Sequence, residues 1–548
     1  MNWKKNDLVE VRIEDMSEEG EGIGRAEGYT LFIKDAVIGD RVRAKIMKLK
    51  KTYGYARLLE VLCASESRVE PLCPVSGPCG GCQLQSLSYE RQLAFKEEKV
   101  RSQLQRIGGF EEPPVEAVIG MEQPWGYRNK AQFPIGRSKD GRIIAGFYAG
   151  RTHSIIETPR CFLGHPVNEK VLKTVVDWME EYGIAPYEEA AHRGLVRHVL
   201  IRTGEKAGDS CQVMVCLVIN GGKLPCGDEL VSALRRIPGM TSISYNINTE
   251  NTNVILGPEV CQLYGNGYIT ETIGDLRYRI SPQSFFQVNP RQTGKLYETA
   301  LEYAGLTGRE TVWDLYCGTG TITLFLARRA KWVRGVEVIP FAVEDARENA
   351  RANGIANASF YLGRAEEVLP RFYEEEKERA DVIVLDPPRK GCDTALLDTI
   401  LAMEPERVVY VSCNPASLAR DLKYLCAGRY ELTRVQPVDM FAQTVGVETV
   451  CLLSKLNAKQ HIEVEIKMDE LDLTAAESKA TYEEIKAYVL EHSGMKVSSL
   501  YIAQVKQKCG IIERENYNKP KSEDTKQPQC SPEKEKAIME ALKHFGMI

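Results

Sequence analysis

The chain has 548 residues, 43% of them hydrophobic and 27% charged, which is typical of a globular protein with several domains. The formal net charge of −5 argues against a uniformly basic coat for nucleic acid, although it permits a local basic groove. No apolar run approaches the ~18 residues needed to span a bilayer, and the first residues lack the apolar segment of a secretory signal. We therefore expect a cytoplasmic protein without a membrane partner, whose 16 cysteines are thiols, metal ligands or catalytic groups rather than disulfides.

Residues 1–62 predict a small β-barrel of the OB type. Apolar and polar residues alternate at 8–13, 29–33 and 40–46, with glycine turns between these segments. The glycine-rich stretch 20–25 has no helix after it, so we interpret it as a hairpin rather than a nucleotide-binding loop.

Basic residues between Arg41 and Lys51 precede two aromatic residues, Tyr53 and Tyr55. Basic side chains beside aromatic ones on a small barrel suit single-stranded nucleic acid. A solvated strand face explains the same charges equally well, so both interpretations stay open.

Residues 63–280 form a central region that begins with a cysteine-rich loop. Cys73, Cys79 and Cys82 lie among turn residues, and three thiolates on such a loop plus a fourth can hold an iron–sulfur cluster or a tetrahedral zinc ion. The spacing does not separate these two groups, and the fourth ligand is open between Cys161, Cys63 and a later cysteine. An amphipathic helix is predicted at 89–107, able to pack on the C-terminal domain, and a mixed α+β fold for the remainder.

Residues 281–455 alternate between strands and helices. The strands predicted at 311–315, 332–337, 381–385 and 408–411 are separated by helical segments, which indicates a doubly wound and mostly parallel sheet. Such sheets bind their ligands beyond the carboxyl ends of the strands. Functional side chains are therefore expected directly after these four strands.

The first of these strands runs into a glycine turn that indicates a cofactor site. Gly318 and Gly320 permit a close approach of the backbone to a ligand, and Glu337 ends the next strand, where a carboxylate accepts from ribose hydroxyls. The turn lacks the third glycine of the dinucleotide fingerprint, which disfavours NAD. The pattern fits S-adenosylmethionine better.

A thiol and two carboxylates follow or interrupt the other strands. Cys413 comes directly after an apolar strand and before the turn residue Pro415, and Asp386 follows a neighbouring strand in the same way. Glu448 is predicted to interrupt an otherwise apolar strand, where desolvation would raise its pKa toward the range of a general base. The alternatives are an inert buried thiol for Cys413 and an edge-strand carboxylate in water for Glu448.

Residues 456–548 predict a helical extension of unknown role, with helices at 475–492 and 532–545. The segment 515–526 between them is polar and contains proline and lysine, so we expect it to be flexible.

Seven motifs in one order resemble the RNA (uracil-5-)-methyltransferase family, specifically its 23S ribosomal RNA members, over about residues 5–455. They are the N-terminal barrel, the Cys-x5-Cys-x2-Cys loop, and the segments 284–289 (Ser-Phe-Phe-Gln-Val-Asn), 314–320 (Asp-Leu-Tyr-Cys-Gly-Thr-Gly), 386–389 (Asp-Pro-Pro-Arg), 412–415 (Ser-Cys-Asn-Pro) and 447–450 (Val-Glu-Thr-Val). The resemblance implies a TRAM-type OB barrel, a class I methyltransferase sheet, and methyl transfer from S-adenosylmethionine to C5 of a uridine.

The resemblance also implies roles for individual residues. It assigns the nucleophile that adds to uracil C6 to Cys413 and the base to Glu448. It implies S-adenosylmethionine contacts, at Gln287, Tyr316, Glu337 and Asp386. It implies a 4Fe-4S cluster rather than zinc, held by Cys73, Cys79, Cys82 and Cys161. It indicates RNA contact at residues 127–130, whereas nothing is carried over to residues 362–366 (Leu-Gly-Arg-Ala-Glu), the stretch where the family often has an acidic or amide side chain near the adenine.

Three other functions compete with methylation of 23S ribosomal RNA by a monomer. The transfer RNA branch of the family generally lacks the barrel and the cysteine loop, so their presence favours ribosomal RNA. A non-catalytic RNA-binding assembly factor would not need Cys413 and Glu448. An N-methyltransferase would need an aromatic residue where the chain has Arg389.

Overall fold

The computed structural model describes residues 3–150, 152–207, 210–427, 429–456, 482–509, 530–545 and 547. The chain divides into two compact units, residues 1–458 and residues 459–548. Among the described residues, no helix combines the length and the apolar character that crossing a membrane requires.

The N-terminal barrel is closed by five strands in the order β1-β2-β3-β5-β4. Side chains alternate between inside and outside, so that Val9, Val11 and Ile13 of the first strand are buried. The predicted hairpin is confirmed: β1 and β2 are antiparallel neighbours, and a side chain at Gly24 would clash with the Arg12 carbonyl, 2.7 Å from its Cβ. The strands are β1 (Leu8–Met16), β2 (Gly22–Ala26), β3 (Tyr29–Lys34), β4 (Arg41–Leu49) and β5 (Tyr53–Cys63).

The predicted helix after the cysteine loop is present as α1 (Tyr89–Gln103), which continues into a π-helical turn at Leu104–Gly108. The Ser88 hydroxyl accepts from the Arg91 N–H and caps the start of α1. Val100 and Leu104 pack in the same apolar cluster as residues of the C-terminal sheet. The helix is thus part of the core of that sheet's domain.

The central region forms a seven-stranded sheet in the order β12-β11-β10-β9-β6-β7-β8. Only β10 and β11 are parallel neighbours in it, and two helices cover one of its faces. A two-stranded hairpin, β13 and β14, follows. The elements are β6 (Lys130–Arg137), β7 (Ile143–Tyr148), β8 (Ile155–Glu157), α2 (Val167–Glu181), β9 (Val196–Ala207), β10 (Ser210–Ile219), α3 (Gly227–Leu234), β11 (Met240–Ile247), β12 (Glu259–Gly265), β13 (Ile269–Ile273) and β14 (Leu276–Ile280).

The C-terminal sheet has seven strands in the order β17-β16-β15-β18-β19-β21-β20. The first five run parallel, and β21 runs antiparallel between β19 and β20. The strands are β15 (Thr311–Leu315), β16 (Trp332–Glu337), β17 (Ala358–Leu362), β18 (Val382–Leu385), β19 (Arg407–Ser412), β20 (Tyr430–Val438) and β21 (Glu448–Lys455). The helices are α4 (Pro290–Ala304), α5 (Thr321–Ala327), α6 (Pro340–Ala352), α7 (Ala365–Glu374), α8 (Thr394–Met403) and α9 (Pro415–Cys426).

One detail of the sequence prediction is wrong. Glu448 does not interrupt a strand but opens one, because β21 begins at this residue. Nor does it lie on an edge strand in water, since β21 has neighbours on both sides and the residue is 3% exposed. The antiparallel direction of β21 brings its first residue to the edge where the parallel strands end.

Within the described part of the second unit, three helices surround a small apolar core, α10 (Tyr482–Ser493), α11 (Ser499–Lys508) and α12 (Pro532–His544). Two of them fall where helices were predicted, and α11 was not predicted. Residues 475–481 of the first predicted helix and the polar segment 515–526 lie outside the described residues.

Replacing Trp313 tests the core of the C-terminal sheet. Its ring is fully buried and packs against Phe372 at a centroid distance of 5.0 Å. Trp313→Ala should lower the free energy of unfolding by about 3–5 kcal/mol through the cavity it leaves, measured in urea by circular dichroism. The control is Trp332→Ala on β16, where the ring is 39% exposed and a much smaller loss is expected. Equal effects of the two substitutions would contradict the packing described.

Candidate active site at the carboxyl edge of the C-terminal sheet

A cleft of about 1130 Å³ lies beyond the carboxyl ends of the parallel strands. Its walls come from strand ends and loops that are far apart in the sequence. All six residues predicted for the cofactor and the reaction line it, namely Gln287, Tyr316, Glu337, Asp386, Cys413 and Glu448. The structure therefore brings together every one of these candidates.

The glycine turn after β15 shapes one end of the cleft. Tyr316 has a φ of 69°, a backbone conformation that is strained for a side chain of its size. Its hydroxyl donates to Glu366 Oε1 at 2.9 Å. The backbone N–H of Gly318 then points to Glu337 Oε2 at 3.0 Å.

Glu337 is oriented by backbone N–H groups at the end of β16. Besides Gly318, the N–H groups of Val338 and Ile339 donate to its Oε1 at 2.8 and 2.9 Å. The side chains of Val338 and Phe341 beside it are 52% and 41% exposed, an apolar wall next to a fixed carboxylate. A flat apolar ring joined to a sugar with two hydroxyl donors matches this pair of features.

Sequence reasoning assigned no contact to residues 362–366, yet four of them line the cleft. Gly363, Arg364 and Ala365 contribute to its wall, and Glu366 anchors the Tyr316 hydroxyl. Arg389 was also missed as a site residue, although it lines the cleft beside Cys413. The strand-end position of these segments was the signal that could have identified them.

Cys413, Asp386 and Glu448 form one electrostatic group. Burial raises the pKa of Cys413 to about 11, and the two carboxylates add to this effect while the Arg389 guanidinium opposes it. Burial also raises the pKa of Asp386 to about 7. Burial and Asp386 hold the pKa of Glu448 well above its usual range. The pKa of Asp386 allows it to exchange protons near neutral pH, and the raised pKa of Glu448 makes it a stronger base, beside a thiol that can act as a nucleophile.

The turn after β19 is tied to the loop that carries Arg389. Asn414 accepts from the Ala416 N–H at 3.1 Å and caps α9, with Pro415 in the first helical position. The Asn414 Nδ2 and the Ser417 hydroxyl both donate to the Arg389 carbonyl, at 2.9 and 3.0 Å. The thiol and the guanidinium are thus held on one framework.

Gln287 lies on a buried segment that precedes α4. Its carbonyl accepts from Asn129 Nδ2 at 3.2 Å, and the Asn129 N–H donates to the Val288 carbonyl at 2.9 Å. Asn289 caps α4 by accepting from the Gln292 N–H at 3.3 Å. The central region therefore supports this side of the cleft.

Residues 127–130, predicted to contact RNA, serve two purposes. Tyr127 and Asn129 are buried, and the Tyr127 hydroxyl donates to the Ala442 carbonyl at 3.0 Å. Arg128 alone of the four lines the cleft, with its guanidinium 5.9 Å from the Phe441 ring centroid. Arg128 is therefore the residue placed to make such a contact, which stays a prediction, while Tyr127 and Asn129 pack inside the fold.

The four predicted cluster cysteines lie near one another. Cys161 acts electrostatically on the pKa of Cys73, Cys79 and Cys82, although burial is the larger cause of the rise in each. All four are free thiols, a donor set suited to iron–sulfur or zinc. Throughout the part of the chain that the structure describes, no three His, Cys, Asp or Glu side chains are arranged to hold a single metal ion.

Comparison with protein families gives two matches. The profile of tRNA (Uracil-5-)-methyltransferases matches residues 264–456, and that of the TRAM domain matches residues 3–59. An uncharacterized RNA methyltransferase of Halalkalibacterium halodurans is 51% identical over 454 residues, covering 83% of this chain and 98% of the relative. Another from Clostridium tetani is 45% identical over 458 residues, with the same two coverages.

One solved structure is similar over most of the chain. The crystal structure of the Pyrococcus abyssi tRNA (uracil-54, C5)-methyltransferase in complex with S-adenosyl-L-homocysteine aligns with a TM-score of 0.66 and 28% identity. The alignment covers 81% of this chain and 100% of that chain.

Replacing Arg389 tests the electrostatics of the thiol. Because the guanidinium lowers the pKa of Cys413, Arg389→Met should raise this pKa and slow alkylation by iodoacetamide roughly tenfold at pH 8. The rate is measured by mass spectrometry of the Cys413 peptide. Lys390→Met is the control, since Lys390 lines the same cleft but does not act on this pKa. If Arg389→Met were alkylated at the wild-type rate, the effect of the Arg389 guanidinium on the pKa of Cys413 would be contradicted.

Proposed function

This protein belongs to the RNA (uracil-5-)-methyltransferase family, a family of S-adenosylmethionine-dependent enzymes, and from that premise we propose that it methylates a uridine of 23S ribosomal RNA through a covalent Cys413 adduct. The predicted class I methyltransferase sheet and N-terminal TRAM barrel are confirmed. The observation that carries the proposal is the convergence of Cys413, Glu448 and Glu337 in one cleft.

Uracil C5 is too weak a nucleophile to accept a methyl group directly. The Cys413 thiolate adds to C6, and the electron pair of the C5=C6 bond moves toward C5 and the O4 carbonyl to form an enolate. Asp386, with a pKa of about 7, is the nearby group able to take the thiol proton at neutral pH. S-adenosylmethionine supplies an electrophilic methyl group, which C5 attacks in line, with proximity giving much of the rate.

Glu448 completes the reaction by removing the proton from C5. The C5–H electron pair then forms the C5=C6 bond again, and the bond from C6 to sulfur breaks to release the thiolate. The raised pKa of Glu448 suits a base that must take up a proton in a desolvated site.

The cofactor is held by residues on one side of the cleft. We assign the ribose hydroxyls to Glu337 and the remaining contacts to Gln287, Tyr316 and Asp386. Gln287 and Asp386 also lie where they can orient the uracil edge against the methyl group. Three backbone N–H groups that fix Glu337 support this assignment.

RNA enters the cleft as an unpaired strand with its target base out of the stack. Arg128 lines the cleft, and the barrel presents a half-buried aromatic group in which the ring centroids of Phe32, Tyr53 and Tyr55 are 5.6–5.8 Å apart. Lys48 and Lys50 are exposed near these rings. Stacking platforms with basic neighbours bind single strands without reading much sequence.

Transfer RNA is the second candidate substrate, favoured by the Pyrococcus abyssi enzyme that acts on tRNA. Its alignment over 81% of this chain weakens the expectation that the barrel and the cysteine loop by themselves distinguish ribosomal from transfer RNA. The motif resemblance to 23S ribosomal RNA members keeps ribosomal RNA as the first candidate.

We further propose that Cys73, Cys79, Cys82 and Cys161 hold a 4Fe-4S cluster with a structural role. Such a cluster spreads its thiolates over four irons, so the sulfurs need not converge on one ion. The proposed methyl transfer has no redox step. The cluster would therefore stabilise the conformation of the loop that binds it.

The substrate assignment is tested by methyl transfer to 23S ribosomal RNA and tRNA transcripts, followed by nucleoside mass spectrometry. We expect 5-methyluridine in ribosomal RNA with wild type and none with Cys413→Ala, because no other group replaces the thiolate. Cys426→Ala, at the C-terminal end of the helix that follows Cys413 and outside the cleft lining, should retain activity. Product in tRNA alone would move the protein to the second candidate. Bound cofactor without transfer to either RNA would indicate an assembly factor.

Iron and acid-labile sulfide analysis tests the cluster on protein purified without oxygen. Cys79→Ser and Cys161→Ser should each lose both, together with the visible absorbance, because a thiolate ligand is removed. Cys63→Ser is the matched control, since this exposed thiol is outside the proposed set. Zinc without sulfide, or unchanged iron in Cys161→Ser, would overturn the assignment.

A further inference from the structure

The loop of residues 439–447 joins β20 to β21 and ends at Glu448. It is buried along most of its length, with Asp439, Met440 and Ala442 fully buried and Gln443 only 3% exposed. Val438 and Glu448 are paired across the base of this hairpin. The conformation of the loop therefore determines where the Glu448 carboxylate lies.

The polar backbone of this loop is satisfied by side chains from other parts of the fold. The carbonyls of Asp439, Met440, Phe441, Ala442 and Val445 all accept from side chains, and the Gln443 N–H donates to one. The partners are Gln292 (3.1 Å), Asn289 (3.2 Å), Lys96 (3.0 Å), Tyr127 (3.0 Å), Lys99 (3.1 Å) and Gln92 (3.0 Å), respectively. Three of them, at positions 92, 96 and 99, lie on one face of α1.

Lys96 makes the strongest of these contacts. Its Nζ lies 2.5 Å from Asp439 Oδ1, and both side chains are fully buried. The Tyr89 hydroxyl donates to the other oxygen of Asp439 at 2.7 Å, and Lys96 also reaches the Phe441 carbonyl. A buried charge that loses its partner is strongly disfavoured, so this ion pair fixes the start of the loop against α1.

The cysteine loop holds the same segment from another side. The backbone N–H groups of Gln83 and Leu84 both donate to the Gln443 carbonyl, at 3.1 and 3.0 Å. Cys82 and Cys161 pack in one apolar cluster with Ala442. The position of the loop thus depends on α1 and on the segment next to the cluster cysteines together.

We propose that Lys96 is a positioning residue for Glu448, acting through Asp439 and the loop 439–447. This inference rests on the proposed function, because it uses the assignment of Glu448 as the base. Cys413 lies in the turn between β19 and α9, whose cap bonds involve Asn414, Ser417 and the Arg389 carbonyl rather than the loop, and β19 meets β21 only from Thr449 onward. Loss of Lys96 therefore affects the second half of the reaction and spares the first.

The two halves of the proposed reaction, adduct formation with methyl transfer and then release, give different products. Addition of sulfur to C6 and transfer of the methyl group to C5 yield a methylated uracil bonded to Cys413. Release requires Glu448 to take the C5 proton while the C6–S bond breaks. A displaced carboxylate leaves the covalent RNA–protein adduct in place, and a displacement of about 1 Å costs roughly 10²-fold in rate.

The experiment follows the adduct on denaturing gels during a single turnover with labelled S-adenosylmethionine and the RNA that wild type methylates. Lys96→Met, which removes the charge and keeps the length of the side chain, should form the adduct at the wild-type rate and resolve it roughly 10²-fold more slowly. Tyr89→Phe removes a hydroxyl that donates to Asp439 and accepts from the Met121 N–H, and it should show the same accumulation to a smaller extent. Glu448→Gln provides the reference for full accumulation.

Arg91→Met is the matched control, because this α1 cation pairs with Glu98 and contacts no loop atom. The affinity of each variant for S-adenosylhomocysteine shows whether it is folded. If Lys96→Met does not bind S-adenosylhomocysteine, the kinetics of Tyr89→Phe test the proposal instead. The positioning role would be overturned if a variant that binds S-adenosylhomocysteine formed and released the adduct more slowly by the same factor. It would also be overturned if both rates stayed at the wild-type value. Absence of transfer by wild type would instead refute the proposed function itself.

Discussion

Burying the backbone of residues 439–447 obliges its N–H and C=O groups to find partners inside the protein, since an unpaired buried polar group is costly. Side chains from the surrounding elements supply these hydrogen-bond partners. Helix α1 contributes Gln92, Lys96 and Lys99, α4 contributes Gln292 and its N-cap Asn289, and the central region contributes Tyr127. Removing one partner of the buried Lys96–Asp439 pair is expected to cost about 3–5 kcal/mol. The domains of the first unit are thus joined at the loop that leads into Glu448.

Burial also determines the pKa values of the ionisable groups in the cleft. Cys413, with a pKa of about 11, is a thiol at neutral pH in the free protein, and desolvation raises the pKa of Glu448 well above its usual range. A thiol that stays protonated until RNA arrives is protected from oxidation and alkylation. The Arg389 guanidinium is the nearby charge that favours the thiolate, and Asp386 titrates near neutrality. Activation is thus a property of the loaded site.

The alternation of strands and helices predicted the C-terminal sheet well, because buried parallel strands give continuous apolar runs. Asp386, Cys413 and Glu337 were found from their strand-end positions for this reason. Glu448 was identified correctly as a cleft residue candidate, but the start of its strand was misjudged since an apolar stretch preceded it. The central sheet could not be ordered from its sequence, because its strands lack a single period. The partners of loop 439–447 were missed, since Lys96 and Asp439 are 343 positions apart.

The central claim is that Cys413 forms a covalent bond with C6 of the uridine that receives the methyl group. RNA containing 5-fluorouridine at the methylated position tests it most directly, because the base cannot remove fluorine as a proton and the adduct cannot resolve. With S-adenosylmethionine present, we predict a stable complex whose digested peptide carries methylated 5-fluorouridine on Cys413. A complex through another residue, or turnover of unmodified RNA with no complex on the fluorinated one, would contradict the mechanism.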